Sequence, residues 1–205
     1  MKKGICLRTP LAYFPPAHWY LAAIQHGVWM LEAHENYQKG GFRNRCRIAS
    51  PNGLQTLSVP LESGKHQAQP IQEVRISYQR DWWREHEQSI RTAYGRSPYF
   101  EFYADDIFAV GRTRPTTLWE LNHQLFETIL NLLQNPFSAQ VSSGFLKPGT
   151  TGFVWPNGLP QSLPEYPQVF SDRHGFTPSL SILDALFCLG PEIGSLVTRI
   201  TPLHP

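Results

Sequence analysis

The stretch that decides the fold is Ile5–Leu31, which reads ICLRTPLAYFPPAHWYLAAIQHGVWML. Ile5–Leu7 has the character of a short strand, and Val28–Leu31 is an apolar run typical of a buried strand. Between them a proline pair precedes the helical segment Ala17–Gln25, and Gly27 follows it, which matches the preference for proline at helix starts and glycine just past helix ends. Strand, helix and strand in this order predict a βαβ unit with a parallel pair of strands.

The rest of the chain predicts an α/β fold, with a mixed sheet that contains the βαβ unit and a β-hairpin and is covered by several helices. The dipeptide Asn52-Gly53 is a strong hairpin signal, and apolar residues alternate with others after it. Residues 137–167 are rich in Gly, Pro and Ser and predict a long loop with a functional or lid role. Capping and start signals predict helices that begin near Asp81, Ser97, Thr117 and Thr177.

Composition indicates one globular domain over residues 1–205. The chain is 41% hydrophobic and 13% aromatic, which is enough for a compact core. A net charge of only +2 argues against broad electrostatic binding of nucleic acid. No run of 18 apolar residues is present, and no signal-peptide core follows Lys2 and Lys3, so we expect a cytoplasmic protein without a membrane span.

No metal site or cofactor motif stands out in the sequence. The three cysteines are far apart with no CxxC pair, and the eight histidines are scattered without HxH or HxxxH spacing. Phosphate-loop, dinucleotide-binding and nucleophile-elbow patterns are also missing, so the sequence assigns no cofactor.

A cluster of cations marks the start of the predicted hairpin. Between Asn36 and Leu61 the chain has no Asp or Glu, but within nine positions it has Lys39, Arg43, Arg45 and Arg47. On an extended strand the three arginines would share one face. Arginine grips phosphate or carboxylate bidentately, so the cluster suits an anionic ligand; the alternative is a solvated strand face. Cys46 would point to the opposite face and is expected to be a buried, inert thiol.

Two residues are acid–base candidates. His18 lies at the start of the first predicted helix, just after the first strand, where open α/β sheets bind ligands. Asp184 lies among apolar residues of the last helix, where a carboxyl either bonds to a loop or has a shifted pKa. A purely structural role is the alternative for each.

Several motifs occur in an order that is similar to a known family. These are Tyr13-Phe14-Pro15, Arg43-Asn44-Arg45, Asn52-Gly53, Leu57-Ser58-Val59-Pro60, Ser97-Pro98-Tyr99-Phe100, Tyr166-Pro167-Gln168 and Leu180-Ser181-Ile182-Leu183-Asp184. The chain resembles the WbqC-like family of bacterial proteins over most of its length. It departs from the family pattern between about Gln140 and Glu165.

The resemblance implies a role in surface-polysaccharide (O-antigen) biosynthesis. The expected activity is transfer of glycine or a similar acyl group to a nucleotide-linked amino sugar or another small anionic metabolite. Lys39, Arg43, Asn44 and Arg45 would hold the anionic part, Tyr13 and Gln168 would line the same cleft, and His18 or Asp184 would be the acid–base group. Two alternatives are a non-catalytic ligand sensor and a scaffold that binds a partner through the aromatic residues of 98–108.

Overall fold

The computed structural model describes residues 6–62, 69–134, 137–150, 153–154 and 163–199, and it has a mixed α/β fold. The strands are β1 (Cys6–Pro10), β2 (Val28–Glu32), β3 (Arg45–Ser50), β4 (Gly53–Ser58), β5 (Ser138–Val141) and β6 (Phe153–Val154). The helices are α1 (Ala17–His26), α2 (Trp82–Tyr94), α3 (Phe100–Arg112), α4 (Leu118–Leu132), α5 (Ser171–His174) and α6 (Ile182–Leu189). Short 3₁₀ segments cover Ile71–Glu73 and Gly190–Arg199.

The main sheet has the order β5-β2-β1-β6, and each of its pairings is parallel. Leu7 of β1 lies beside Trp29 of β2, which in turn lies beside Ala139 of β5. The predicted βαβ unit is therefore confirmed. The expectation of an unbroken loop over residues 137–167 is wrong, because β5 and β6 both come from this stretch.

Helix α1 begins and ends where the proline and glycine signals place it. Pro16 is the N-cap residue, and Gly27 has a left-handed φ of 77° while its N–H donates to the Ala23 carbonyl at 2.8 Å. A residue with a Cβ would be strained at this φ, so glycine is the natural residue for this helix end.

The hairpin of β3 and β4 forms a separate two-stranded sheet around the Asn52-Gly53 turn. Cys46 and Ile48 are fully buried, whereas Arg45 and Arg47 are exposed, as strand alternation predicts. Arg43 lies before β3 begins, so it is not part of the strand face on which the sequence pattern places it.

The larger helices cover the sheets, and two of them start with a side-chain cap. At α4 the Thr117 hydroxyl accepts a hydrogen bond from the Glu120 N–H at 3.2 Å, and the Glu120 carboxylate accepts one from the Thr116 N–H at 2.8 Å. At α6 the Ser181 hydroxyl accepts from the Leu183 N–H, so this helix begins four residues later than Thr177-Pro178 suggests. Asp81 precedes α2 but makes no capping hydrogen bond.

Three distant segments meet at the start of α1, and we call this meeting point the α1 junction. The Ala17 N–H donates to the Leu180 carbonyl at 3.2 Å, and the Ile182 N–H donates to Pro15 at 2.9 Å. The Ser181 N–H donates to the Arg47 carbonyl at 2.8 Å. These bonds attach the hairpin and the start of α6 to the first turn of α1.

Candidate functional site

A cavity of about 430 Å³ opens beyond the carboxyl ends of β1 and β2. Pro10 ends β1 and Glu32 ends β2, and both line it. Open parallel sheets bind their ligands at this edge. The other lining residues are Ala12, His18, Trp19, Glu35, Gln38, Gly41, Phe42, Arg43, Arg47, Phe145, Pro148 and Ser179.

His18 lines the cavity from the first turn of α1 and is 8% exposed. Burial lowers the pKa of its imidazole to about 4, because no nearby charge compensates for the loss of water around the imidazolium. Its buried Nδ1 has no hydrogen-bond partner within the described part of the chain. The ring is therefore neutral near pH 7 and able to accept a proton or a hydrogen bond from a ligand.

Arg43 forms a two-point ion pair with Glu35 on the cavity wall. Its Nε donates to Glu35 Oε1 at 2.8 Å, and its Nη2 donates to Oε2 at 2.5 Å. Burial raises the pKa of Glu35 above its ordinary value, and Arg43 offsets only part of that effect. The basic cluster thus has a carboxylate partner that lies one residue before the acid-free stretch of sequence begins.

A second ion pair, between Arg8 and Glu32, is almost completely buried beneath the cavity. Glu32 also accepts hydrogen bonds from the Ser142 hydroxyl at 2.9 Å and the His34 N–H at 2.8 Å. Burial alone would raise the pKa of Glu32, but these bonds and Arg8 together hold it below its ordinary value. Arg8 further donates to the Gly144 carbonyl at 2.6 Å, so the pair fixes the loop that carries Phe145.

Arg47 and three aromatic rings complete the lining. The Arg47 guanidinium lies 6.0 Å from the centroid of the Phe42 ring, and Phe42 packs edge-on against Trp19 with 6.0 Å between centroids. Phe145 is 52% exposed at the cavity. Apolar walls with a few convergent polar groups are typical of small-molecule sites.

The structure brings only part of the predicted site to this cavity. His18 and Arg43 line it, whereas Lys39 and Arg45 are exposed residues outside its lining. Asn44 is buried, donating to the Val59 carbonyl at 3.0 Å and accepting from the Tyr37 hydroxyl at 3.2 Å. Tyr13 is fully buried, with its hydroxyl 2.8 Å from His86 Nδ1. The binding roles of Lys39, Arg45, Asn44 and Tyr13 remain predictions.

Gln168 and Asp184 belong to a second polar cluster that does not line the cavity. Gln168 holds the Thr177 backbone by two hydrogen bonds, at 3.1 and 2.8 Å. Asp184 is fully buried and accepts a hydrogen bond from the Tyr166 hydroxyl at 2.7 Å. Burial raises its pKa to about 6, although Tyr166, Tyr94 and Gln168 favour the charged form. Its Oδ1 has no partner among the residues that the structure describes.

Sequence reasoning missed four charged or strained residues of the cavity. Glu32 and Glu35 follow the end of the second predicted strand, at the same sheet edge as His18. Their place in the sequence could therefore have identified them as cavity residues. Arg47 belongs to the basic cluster, but the resemblance to the family assigns ligand binding to Arg43 and Arg45 and not to Arg47. Ser179 has a left-handed φ of 62°, which no pattern in the sequence predicts.

Two negative findings apply to the described residues alone. No group of three or more His, Cys, Asp or Glu side chains there is arranged to hold a metal ion. No helix in the same part of the chain is long and apolar enough to cross a membrane.

A family model described as the WbqC-like protein family matches residues 12–152. This range contains most of the cavity lining, including His18, Glu35, Arg43 and Arg47, whereas Ser179 and Asp184 lie beyond it. No curated protein and no solved structure matches the chain.

Proposed function

Because the chain belongs to the WbqC-like protein family, we propose that it is a transferase of surface-polysaccharide biosynthesis. Its substrate is a nucleotide-linked amino sugar or a similar anionic metabolite, and the transferred group is glycine or another acyl group. The cavity at the carboxyl edge of the parallel sheet is the reaction site, and its volume falls within the range of small-molecule sites.

The observation that carries this proposal is the neutral His18 in a cavity with both acidic and basic walls. When an amine attacks the carbonyl carbon of an activated acyl donor, a C–N bond forms and the donor's leaving group departs with its electron pair. The amine nitrogen must also lose a proton. A neutral imidazole is able to take that proton once the anionic substrate is bound, because a nearby negative charge raises the pKa that burial lowers to about 4.

The two ion pairs give the cavity its polar recognition groups. Glu35 and Arg43 present a carboxylate and a guanidinium side by side, and Trp19 and Phe145 add apolar surface. Sugar rings offer hydroxyls to such polar pairs and C–H faces to aromatic rings. Asp184 remains a second acid–base candidate, supported by its pKa near neutrality but outside the cavity lining.

A thermal-shift screen of nucleotide-linked sugars, followed by product analysis with activated acyl donors, tests the proposal. We expect an amino-sugar nucleotide to raise the melting temperature and to become acylated. His18→Asn should retain binding and lose turnover by about 10²-fold or more, because the amide cannot take the proton. His174→Asn is the matched control, since His174 is exposed and outside the cavity. Equal turnover in both variants would contradict the role of His18.

The second candidate function is a non-catalytic sensor or carrier of the same ligand. One observation favours it: His18 forms no side-chain hydrogen bond with an orienting group in the described residues, whereas catalytic histidines are usually oriented by a third group. Binding of a nucleotide-linked sugar without any product, across the acyl donors tested, would support the sensor over the transferase.

A further inference from the structure

The charges that line the cavity do not contribute equally. Glu35 and Arg43 neutralise each other across two hydrogen bonds, and Glu32 is neutralised from below by Arg8. Arg47 also lines the cavity, but it has no carboxylate partner among the residues described. The uncompensated positive charge of this wall is therefore located on Arg47.

The backbone holds Arg47 in a fixed position. Its neighbours Cys46 and Ile48 are fully buried, so the strand cannot rotate without exposing them. Its carbonyl accepts the Ser181 N–H at 2.8 Å in the α1 junction. The backbone at Arg47 is therefore preorganised, so ligand binding needs to order only the side chain.

Ser179 stands on the same junction and is conformationally strained. It has a left-handed φ of 62°, a region that costs a non-glycine residue free energy. It lies two residues before Ser181, which bonds to Arg47, and next to Leu180, whose carbonyl bonds to the first turn of α1. Ser179 lines the cavity, and its hydroxyl makes no hydrogen bond within the described chain.

We propose that Arg47 and Ser179 form an oxyanion subsite at the α1 junction, which binds a phosphate or carboxylate group of the ligand. The guanidinium supplies charge and a bidentate fork, and the serine hydroxyl supplies a single hydrogen bond. The subsite rests on the proposed function, because it locates the anionic part of that substrate. It places this part at Arg47, and not at Lys39, Arg43 and Arg45, which are the residues expected from the family resemblance.

Calorimetric titration of the full chain with inorganic phosphate and, separately, with acetate tests the subsite at constant ionic strength. We expect Arg47→Gln to weaken binding by about 10- to 100-fold, the loss typical of charge-assisted hydrogen bonds. Arg45→Gln is the matched comparison, since Arg45 lies two positions away on the same exposed face but outside the cavity lining. It should change affinity by less than about threefold.

The two anions identify the group that is recognised: tighter phosphate binding assigns a phosphate, and tighter acetate binding assigns a carboxylate. Ser179→Ala and Ser179→Gly provide a second pair of variants. Both should weaken anion binding because both lose the hydroxyl, although glycine relieves the strained φ and should stabilise the fold. Folding of each variant is checked by its melting temperature.

Equal losses in Arg45→Gln and Arg47→Gln, a loss only in Arg45→Gln, or no anion binding at millimolar concentration would each overturn the subsite. Failure of the proposed function looks different. In that case phosphate or acetate would still bind through Arg47, but no nucleotide-linked sugar would bind or react.

Discussion

Asp184 provides a test of buried charge at the level of one residue. Burial raises the pKa of its carboxyl from 3.8 to about 6 in the folded state. Below about pH 3.8 the carboxyl is protonated in both states, and its contribution to the free energy of unfolding is fully present. As the pH rises through about 6, this contribution is lost, which lowers the free energy of unfolding by about 3 kcal/mol in total. Asp184→Asn cannot ionise, so the variant should be more stable than the original chain at about pH 8, and its stability should vary less with pH.

Urea unfolding at about pH 4 and about pH 8 measures this difference. Asp172→Asn is the control, because Asp172 is an exposed aspartate in the short helix α5. If the free energies of unfolding of Asp184→Asn and the original chain change in parallel with pH, the folded-state pKa of Asp184 is not raised. Loss of the proposed acyl transfer in a stable Asp184→Asn variant would support its acid–base role.

Arg43 and Arg45 lie two positions apart in the basic cluster, but replacing them should have very different effects on the free energy of unfolding. Arg43→Ala leaves Glu35 buried without its partner, which should cost about 3 kcal/mol of unfolding free energy. Arg45→Ala removes an exposed side chain and should cost less than about 0.5 kcal/mol. Thermal and urea unfolding of both variants gives the comparison.

A double variant distinguishes the cost of losing the Arg43–Glu35 ion pair from the cost of leaving the Glu35 charge buried without a partner. Glu35→Gln combined with Arg43→Ala should be more stable than Arg43→Ala alone, because a buried glutamine needs no counter-charge. A double variant as unstable as the single one would show that Arg43 stabilises the fold through packing.

At the level of elements, the contact between α2 and α3 depends on Gly111. A Cβ added at this position would lie 1.9 Å from Cε2 of Trp83, a buried ring whose Nε1 donates to the Phe108 carbonyl. Gly111→Ala should therefore cost about 2–3 kcal/mol through overpacking. Gly194→Ala is the control, since its added Cβ would meet no heavy atom within 4 Å.

Urea midpoints and tryptophan fluorescence report on the packing of Trp83 in both variants. Unchanged midpoints and spectra in Gly111→Ala would mean that α2 and α3 separate without cost. That result would contradict the close contact between them.

Elements with strong local signals could be predicted from the sequence. Helix α1 has a proline start and a glycine stop, and the hairpin has its Asn-Gly turn. Strands β5 and β6 have only four and two residues and lie among Gly, Pro and Ser, so their pairing with β2 and β1 is a tertiary effect that local pattern does not carry. The Arg43–Glu35 pair is not apparent from the sequence, because Glu35 lies just before the acid-free stretch and only the fold brings it to Arg43.

At the level of the whole molecule, we predict that a chain ending at about residue 170 does not fold. Helix α6 would be lost, and its side chains Ile182, Leu183, Leu186 and Phe187 are fully buried in the shared core. Burial of each such side chain contributes about 1.5–3 kcal/mol, so the loss is comparable with the 5–15 kcal/mol that stabilises a typical domain.

Circular dichroism and resistance to proteolysis of the truncated chain test this expectation and, with it, the single domain predicted over residues 1–205. The full chain, measured under the same conditions, is the control. Cooperative unfolding of the shorter chain would divide the protein into two units.

The bond from Arg8 to the Gly144 carbonyl has a consequence for the order of assembly. It joins residues 136 positions apart, and the α1 junction joins Arg47 to Ser181 over a similar span. Closing such long loops costs entropy before any contact compensates, so we expect these contacts to form late. On this expectation, the cavity becomes complete only in the finished fold. In refolding experiments, we expect ligand affinity to return with the slowest phase and to be missing from any earlier intermediate.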